Sequence, residues 1–418
     1  MSYNTISNTV SANFSNRQGS NPSSAARSTS THQNYLAKQG SIMLRNESRR
    51  GMESNLTMPV ASLTQTSNRY PSGIEERKEK RPEHSNKGIV GLRNLGNTCY
   101  MNSILQCIAR LPPLTEAFKN AARLDINKNS KLQGKMAMAL SDFISELREA
   151  SNQTVISPYD IKSQIGRFNK QFSGYDQQDS SEFFRCLLDA LSQDLNRVKT
   201  KPNYEEMTGS TRENPKAVAD RWWNYSLSRD SSLITDLFQG QFFSVISCKN
   251  CGYGSLSCDS FLSINLPSPE SAYRTSIEDV LDLYFKDSQL PSSYKCEKCK
   301  GSGRCSQNIS IFRFPKVLVL QVKRFQVNSM SRTRLNTEVK LKDELFLDKY
   351  RCNEGEMPSL YYLKGISHHT GTLYFGHYIA DCKENGTWYN FDDSRAHPIY
   401  PPNSSTSAYL LFYVAGEN

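Results

Sequence analysis

One cysteine and a distant histidine–aspartate segment constrain this sequence more than any other feature. Cys99 lies in the stretch Gly-Leu-Arg-Asn-Leu-Gly-Asn-Thr-Cys-Tyr-Met-Asn-Ser-Ile-Leu-Gln, and Gly376-His377-Tyr378 and Asp392-Asp393 follow near the other end of the chain. A catalytic thiol needs an imidazole to take its proton and a third group to hold that imidazole. The sequence therefore indicates a fold that brings these distant segments together, and a thiol hydrolase as its function.

The residues around Cys99 predict the start of a helix. Gly96 and Asn97 break the preceding chain, and Asn97 or Thr98 can cap a helix. Apolar residues then recur with helical spacing, namely Ile104, Leu105, Ile108 and Leu111. Cys99 is expected in the first turn, where backbone N–H groups and the helix dipole favour a thiolate.

His377 is the best candidate for the base among the six histidines. The segment from Tyr378 to Ala380 is typical of a strand, and the turn Glu384-Asn385-Gly386 leads into a second strand from Thr387 to Phe391. This hairpin would return Asp392 to His377, with Asp393 as a second candidate for holding the imidazole. A single cysteine or histidine is more often a structural core residue, but the combination of elements favours catalysis.

Four segments resemble the ubiquitin-specific protease family of deubiquitinases. The stretch around Cys99 is similar to its cysteine box, and Gly-His-Tyr through Phe391-Asp-Asp-Ser to its histidine box. Residues 175–183 (Tyr-Asp-Gln-Gln-Asp-Ser-Ser-Glu-Phe) and 314–325 (Phe-Pro-Lys-Val-Leu-Val-Leu-Gln-Val-Lys-Arg-Phe) are similar to two further family signatures. The resemblance spans roughly residues 89–417, which is the size of a whole catalytic domain.

The resemblance implies an α+β fold, a papain-like cysteine protease with a helical thumb (89–235), zinc-ribbon fingers (236–312) and a β-rich palm (313–417). It implies Cys99 as nucleophile, His377 as base, Asp392 as the residue that orients the imidazole, and Asn94 as the oxyanion-hole donor. On its residues alone, Asn94 is equally a turn residue beside Gly96.

Phe375 departs from the family pattern, in which a small residue often precedes Gly-His-Tyr. Its loop is expected to border the channel for the C-terminal tail of the substrate. The departure therefore concerns substrate access more than the catalytic residues.

Two Cys-x-x-Cys knuckles predict a metal site. Four thiolates suit structural Zn²⁺ and leave no open coordination position for chemistry. The competing interpretations are a disulfide framework and a redox Cys-x-x-Cys pair, and the low cysteine density, with no evident signal peptide, argues against the framework. The predicted ligands are Cys248, Cys251, Cys296 and Cys299, with Cys258 and Cys305 near enough in sequence to confuse the assignment. The 44 residues between the knuckles exceed the usual gap of about 15–20 residues, so a strand-rich excursion is expected there.

Residues 1–88 are rich in Ser, Asn, Thr and Gln and lack apolar periodicity, which predicts a disordered tail. This tail holds 12 Lys and Arg against 6 Asp and Glu, so +6 of the net charge of +10 belongs to it and only +4 to the remaining chain. A near-balanced domain lacks the basic footprint of a nucleic-acid binder. The predicted partners are ubiquitin and ubiquitinated proteins, with no specific nucleic acid and no membrane span, and the chain is expected to be a monomer in the cytoplasm or nucleus.

Apolar patterns predict two helices, one over residues 132–147 and one over residues 183–195, and buried strands over residues 317–322 and 409–414. Residues 200–220 are expected to form a mobile insertion. Asp179 and Glu182 form a plausible capping box for the second helix. The resemblance gives these two carboxylates another role, which is to hold the basic C-terminal tail of ubiquitin.

Three functions follow as hypotheses. The first is an active deubiquitinase that works through an acyl-enzyme thioester. The second is a pseudoenzyme that binds ubiquitin without cutting it, against which the intact set of Cys99, His377 and Asp392 argues. The third is a zinc-ribbon scaffold or nucleic-acid protein, which the charge distribution disfavours.

Overall fold

The computed structural model describes residues 87–416, except residues 120–123, 152–153, 268–272, 328–331, 358–359 and 373–374. The side chains of residues 326, 327 and 332 are likewise outside the description. The predicted tail therefore lies outside the described residues, apart from Lys87 and Gly88. The thumb, fingers and palm boundaries stay predictions.

The described residues contain eight α-helices. They are α1 (Cys99–Ile108), α2 (Pro112–Phe118), α3 (Lys135–Glu149), α4 (Tyr159–Phe168), α5 (Ser180–Asp194), α6 (Pro215–Arg229), α7 (Leu233–Phe238) and α8 (Ile277–Phe285), with short 3-10 helices at Lys170–Phe172 and Asp348–Tyr350. The two helices predicted from apolar periodicity correspond to α3 and α5. The predicted mobile insertion is wrong from residue 215 onward, because Asn214 caps α6 and Pro215 occupies its first turn.

Twenty strands complete the described fold. They are β1 (Gly91–Leu92), β2 (Val155–Ile156), β3 (Gly240–Cys248), β4 (Gly254–Ser257), β5 (Ser260–Phe261), β6 (Ile264–Leu266), β7 (Arg274–Ser276), β8 (Ser288–Gln289), β9 (Cys305–Arg313), β10 (Val317–Val322), β11 (Phe325–Val327), β12 (Arg332–Arg334), β13 (Glu338–Lys340), β14 (Glu344–Leu345), β15 (Tyr361–Gly371), β16 (Gly376–Glu384), β17 (Thr387–Asp392), β18 (Arg395–Ile399), β19 (Ser404–Ser405) and β20 (Ala408–Ala415).

A large sheet forms the centre of the fold, with strand order β18-β17-β16-β15-β20-β10-β6 and β14 paired to β15. Its central strands are buried on both faces. Along β10, Val317 and Val319 pack into the core beneath the helices, whereas Leu318 and Leu320 pack into a second core that includes α8. The alternation of faces explains why β10 and β20 show nearly continuous apolar runs, as predicted.

Helix α1 lies between this sheet and α5, and all ten of its residues are buried. Because α1 packs directly on β16, the first turn of the helix is held beside the start of that strand. A second sheet, with order β4-β3-β9-β8 and with β5 paired to β3, projects the cysteine knuckles. The excursion between the knuckles contains the predicted strands and also α8. The predicted α+β class is confirmed.

The short strand β1 fixes the turn that follows β17. The Leu92 N–H donates to the Asp393 carbonyl at 2.6 Å. Gly91 makes this approach possible, since a Cβ built on it would lie 2.2 Å from the carbonyl carbon and oxygen of Ser394. A glycine is therefore required at position 91 for close packing of two backbones, although its φ angle is ordinary.

We expect Gly91→Ala to lower the free energy of unfolding by about 1–3 kcal/mol, since the added methyl group forces two backbones apart. Urea unfolding measures the change. Gly174→Ala is the matched control, because its Cβ would meet nothing closer than 3.8 Å. Equal stability of the Gly91→Ala protein and the wild type would contradict the packing role given to Gly91.

Candidate active site

Cys99 is the first residue of α1, as predicted, and is only 4% exposed. Thr98 is the N-cap residue, but its side chain makes no capping bond. Its hydroxyl instead accepts the Leu95 N–H at 2.8 Å, while Asn94 Oδ1 accepts the Thr98 N–H at 3.0 Å. The loop before Cys99 is thus held by its own side chains.

Burial raises the pKa of the Cys99 thiol above its ordinary value, and the negative charge of Asp393 raises it further. The backbone N–H of Tyr378, the neighbour of His377, acts in the opposite direction by donating toward the sulfur. The net shift is upward. Burial thus outweighs the backbone N–H groups near the helix N-terminus, and the net effect disfavours the thiolate form of Cys99.

The predicted hairpin brings His377 and Asp392 together. Strands β16 and β17 pair antiparallel, and the turn residues Asn385 and Gly386 have φ angles of 48° and 81°, as a two-residue type I′ turn requires. The register pairs Ala380 with Phe391, so its continuation places Asp392 diagonally across from His377 on the same face. Their side chains meet at 2.6 Å, from His377 Nε2 to Asp392 Oδ1.

This contact sets the tautomer of His377. An ionised carboxylate only accepts hydrogen bonds, so the Nε2–H of His377 donates to Asp392. Nδ1 is then the nitrogen with a free lone pair, and it is the one that can take a proton. Among the described residues, no hydrogen bond joins the Cys99 thiol to this imidazole. Both side chains of the pair are roughly half exposed, at 45% and 40%.

Hydrogen bonds fix the orientation of the Asn94 side chain in the loop that precedes Cys99 in sequence. Its Oδ1 accepts the N–H groups of Gly96 and Thr98, each at 3.0 Å. The opposite end of the amide, Nδ2, donates to Asp393 Oδ2 at 2.8 Å. Because one of the two Nδ2 hydrogens is used in this way, the second remains for another acceptor. The turn role and the donor role weighed from the sequence are thus compatible.

Asp393 makes no described hydrogen bond to the imidazole, and its carboxylate instead accepts two side-chain amides near Cys99. Its Oδ1 accepts Asn102 Nδ2 at 2.7 Å, and its Oδ2 accepts Asn94. Asp393 has a positive φ of 47°, which aspartate tolerates better than most residues. Asp393 is therefore a positioning residue for the Asn94 amide, whereas Asp392 holds His377.

His377, Asp392 and Asp393 also lie close enough together to be considered as metal ligands, with one donor atom from each within 4.8 Å of the others. Their hydrogen bonds argue otherwise. The Asp392 oxygen nearest the imidazole accepts its N–H, and both oxygens of Asp393 accept amide N–H groups. A metal ion would have to displace these donors, so the cluster is better suited to proton transfer.

Asp179 caps α5, since its Oδ1 accepts the Ser181 and Glu182 N–H groups at 2.8 and 3.0 Å. Its Oδ2 accepts the Tyr409 hydroxyl at 2.6 Å, and burial raises its pKa. Glu182 is exposed and accepts from Gln171 at 2.7 Å. The cap is as predicted, but Glu182 does not complete a capping box. Of the two carboxylates, Glu182 is the one exposed to solvent.

Phe375 points into solvent, with 77% of its surface exposed. The Thr372 N–H donates to its carbonyl at 2.7 Å. The next residue, Gly376, donates its N–H to Gln177 Oε1 at 2.9 Å, so the Phe375 loop is tied to the segment 175–178. A ring with this exposure is not packed over the Cys99 thiol.

The four predicted cysteine ligands converge at one point. Cys248 and Cys299 have sulfurs 3.8 Å apart, Cys251 and Cys296 have sulfurs 3.7 Å apart, and all four lie within 4.8 Å of one another. Tetrahedral ligands at a metal–sulfur distance of about 2.3 Å would have sulfurs about 3.8 Å apart. The tetrad thus has the donor set and spacing to hold a metal ion. Cys258 lies elsewhere, in a small apolar core with Phe243.

Two residues with direct contacts at the site were missed from the sequence. Asn102 bonds Asp393, and Gln177 bonds Gly376. The helical pattern places Asn102 three residues after Cys99 on a buried helix, where a polar side chain needs a partner. That signal was available for Asn102, but no local pattern identifies the partner of Gln177.

No helix within the described ranges is long and apolar enough to cross a membrane.

Known proteins resemble this chain over most of the described region. A family model described as ubiquitin carboxyl-terminal hydrolase matches residues 90–413. Ubiquitin carboxyl-terminal hydrolase 2 from Homo sapiens is 37% identical over 343 residues, covering 79% of this chain and 55% of that protein. Its counterpart from Gallus gallus is 38% identical over 339 residues, covering 78% of this chain and 93% of that protein. The chain thus spans about half the length of the human relative.

Solved structures with a similar fold include the SAGA DUB module bound to ubiquitin aldehyde. The similarity has a TM-score of 0.63 and 26% identity, and it covers 80% of this chain and 70% of that one. The same module bound to monoubiquitin also gives a TM-score of 0.63, with 27% identity and coverage of 81% and 72%.

We expect Asp393→Asn to lower the pKa of the Cys99 thiol, since the carboxylate charge raises it in the wild type. At a fixed pH below that pKa, the thiolate fraction rises and alkylation of Cys99 by iodoacetamide becomes faster. The measurement is the pH dependence of alkylation, followed by mass spectrometry of the peptide that contains Cys99. The exposed Asp142→Asn is the control and should leave the profile unchanged. A profile that stays in place or moves to higher pH in Asp393→Asn would contradict this arrangement.

Proposed function

The chain belongs to the ubiquitin carboxyl-terminal hydrolase family, and on this premise we propose that it is a cysteine-type deubiquitinase. It cleaves the peptide or isopeptide bond after the C-terminal glycine of ubiquitin. The observation that carries this proposal is the hydrogen-bonded pair of His377 and Asp392 at the start of the strand that packs on the helix of Cys99. The related module solved with ubiquitin aldehyde supports ubiquitin as the substrate.

The first half of the proposed reaction forms a thioester. His377 Nδ1 takes the proton of the Cys99 thiol, and the sulfur attacks the carbonyl carbon of the terminal glycine. The tetrahedral intermediate then collapses as His377 returns the proton to the leaving amine. Because burial keeps the thiol neutral at rest, we assign the proton transfer to the substrate-bound state, in which the imidazole and the thiol come together.

The second half releases ubiquitin. Water enters in place of the departed amine, His377 Nδ1 removes its proton, and the resulting hydroxide attacks the thioester carbonyl. Expulsion of the Cys99 sulfur, which is reprotonated by the imidazolium, yields the C-terminal carboxylic acid of ubiquitin, which releases its proton to water. Asp392 stays ionised throughout and stabilises the imidazolium that forms in both halves.

We assign the oxyanion hole to the free Nδ2 hydrogen of Asn94 together with the Cys99 backbone N–H. A donor contributes most when it is held in place before the charge develops. The Asn94 amide is held at both ends, by the backbone of its own loop and by Asp393. Asp393 therefore supports catalysis indirectly, through the position of this amide.

For the tail of ubiquitin we propose the surface around Glu182, Gln177 and Phe375, which are all exposed. Glu182 is exposed and available to a basic residue of the tail, while the Asp179 oxygens are already bonded to the helix terminus and to Tyr409. Asp179 thus contributes mainly by fixing the start of α5. Cytoplasmic or nuclear location and the monomeric state stay predictions.

We propose Zn²⁺ as the metal of the cysteine tetrad. Four thiolates at tetrahedral spacing are its typical structural ligands, and the two knuckles tie β3 to the segment before β9. The ion would supply folding free energy and would take no part in peptide-bond cleavage.

The alternative is a ubiquitin-binding pseudoenzyme. The intact nucleophile, base and orienting carboxylate favour the enzyme, because ubiquitin binding alone does not require a hydrogen bond between His377 and Asp392. The two functions differ in whether Cys99 reacts.

Incubation with ubiquitin bearing a C-terminal electrophile tests the proposal. We expect the wild type to form a covalent adduct seen by intact mass, since a base-activated Cys99 attacks the electrophile. Cys99→Ser should form none while keeping its fold and its ubiquitin affinity. Binding of ubiquitin by the wild type without any adduct would instead favour the pseudoenzyme.

Cys296→Ser should lower zinc content and the thermal midpoint together, because binding of a structural metal is coupled to folding. Elemental analysis and thermal unfolding are the measurements. Cys258→Ser is a matched control, since Cys258 and Cys296 are both buried at 2% exposure and only Cys296 belongs to the tetrad. Full zinc content in purified Cys296→Ser would remove the basis for the zinc site.

A further inference from the structure

The tip of the cysteine ribbon carries a concentrated positive charge that the proposed chemistry does not use. We define the basic tip as the knuckle segments 248–254 and 292–305. Its exposed cations are Lys249, Lys295, Lys298, Lys300 and Arg304. Glu297 is the only acid in these two segments, and it accepts the Ser255 hydroxyl at 3.1 Å.

The basic tip accounts for the whole positive excess of the catalytic region. Residues 89–418 contain 39 Lys and Arg and 35 Asp and Glu. With the five cations and one acid of the tip set aside, 34 of each remain. The rest of this region is therefore balanced, and its net charge of +4 is located at one end of one sheet.

Backbone geometry holds these cations together and directs them outward. The Lys249 N–H donates to the Arg304 carbonyl at 2.9 Å, which joins the two knuckle segments, and Lys295 is bridged to Ser302. Within the tetrad, Cys248 and Cys296 are buried, whereas Cys251 and Cys299 are exposed. All five cations of the tip are exposed to solvent.

The cations of the tip have no acidic partners within the described structure. None of the five forms an ion pair with a described residue, whereas cations elsewhere, such as Arg197, Lys349 and Lys383, do so. Clustered like charges repel one another, so their concentration is unfavourable unless something compensates it.

We propose that the basic tip is a docking surface for an acidic polypeptide segment of another protein. Charge complementarity identifies the occupant, because a compact group of five cations matches a short run of Asp and Glu. A segment of this chain is a poor fit, since residues 1–46 contain no acid and residues 75–81 mix both signs. The site lies on the ribbon and not in the groove beside Cys99, so it is an attachment point separate from the catalytic residues.

A nucleic acid is disfavoured by the size of the patch. Binding to a phosphate backbone uses a basic stripe that follows the strand over many phosphates. Outside the tip, the balanced charge of the region offers no such track.

A bound Zn²⁺ with four thiolates would carry a net charge of −2, and the lysines beside the ligands could serve to offset it. Such a role would make them necessary for metal retention. The docking role instead predicts that the charges can be removed with the zinc site intact. Measuring the zinc content of the lysine variants therefore distinguishes the two hypotheses.

The test uses the full chain and a fluorescein-labelled peptide of about ten glutamates, with fluorescence anisotropy as the readout. We expect binding that weakens as salt rises, because exposed charge pairs are screened. A tip variant should bind the peptide roughly tenfold more weakly or worse, since several modest charge contacts are removed at once. It combines Lys249→Gln, Lys295→Gln, Lys298→Gln and Lys300→Gln. Replacement of the same four lysines by arginine should retain binding.

A matched control removes four exposed lysines elsewhere, which also have no described ion pair, and should leave binding unchanged. These substitutions are Lys128→Gln, Lys135→Gln, Lys199→Gln and Lys316→Gln. Equal loss of binding in both variants would show a general charge effect and overturn the proposal, as would unchanged binding in the tip variant. A short DNA duplex that binds more tightly than the peptide, through the same lysines, would overturn the acidic protein as occupant.

Zinc content and thermal unfolding are measured on every variant. If the tip variant loses its metal, the wild type is tested instead by carbodiimide cross-linking. This reaction joins carboxylates of the peptide to lysines that lie close to them. Cross-links at the four tip lysines support the proposal, and cross-links spread over the other lysines contradict it. Because Cys99→Ser should bind the peptide like the wild type, failure here is distinguishable from failure of the proposed deubiquitinase.

Discussion

Asp393 joins the continuous stretch from Leu92 to Asn102 to the turn that follows β17. It accepts the amide of Asn94 from the loop before α1 and the amide of Asn102 from within that helix. Its backbone carbonyl accepts the N–H of Leu92 from β1. Cys99 and the donor before it are thereby fixed relative to the hairpin that carries His377. These contacts add to the direct packing of α1 on β16 in holding Cys99 beside His377.

The Asp393 carboxylate also imposes an electrostatic cost on the nucleophile. A carboxylate beside a buried thiol opposes thiolate formation, and burial acts in the same direction. The site therefore resembles a poised arrangement in which the imidazole is already oriented by Asp392 but the thiol keeps its proton. Such an arrangement limits oxidation and unwanted alkylation of Cys99, because the thiolate is the reactive form.

Features encoded in neighbouring residues were predictable from the sequence, including α3, α5, the β16–β17 hairpin and the two knuckles. Each has a local signal, whether an apolar period, the Asn385-Gly386 turn or the spacing of two cysteines. The family resemblance supplied the overall fold and the roles proposed for Cys99, His377, Asp392 and Asn94, which stay predictions. What it could not supply are contacts between distant segments, such as that of Gly91 with Ser394, because these depend on packing that no local pattern records.

Two predictions about where helices begin differ from the structure. Thr98 stands at the N-cap of α1, but no side chain makes a capping bond there, contrary to the predicted cap by Asn97 or Thr98. The insertion predicted from Pro and Gly content ends in α6, because Pro at a first helical turn starts a helix as readily as it ends one.

The hairpin has a consequence for how this region can vary in length. His377 and Asp392 face each other only because both strands alternate with a period of two across a tight turn. An insertion or deletion of one residue between Ala380 and Phe391 would rotate Asp392 to the opposite face of the sheet, unless a bulge absorbed it. The contact between His377 and Asp392 therefore depends on the length of this hairpin as well as on the identity of the two residues.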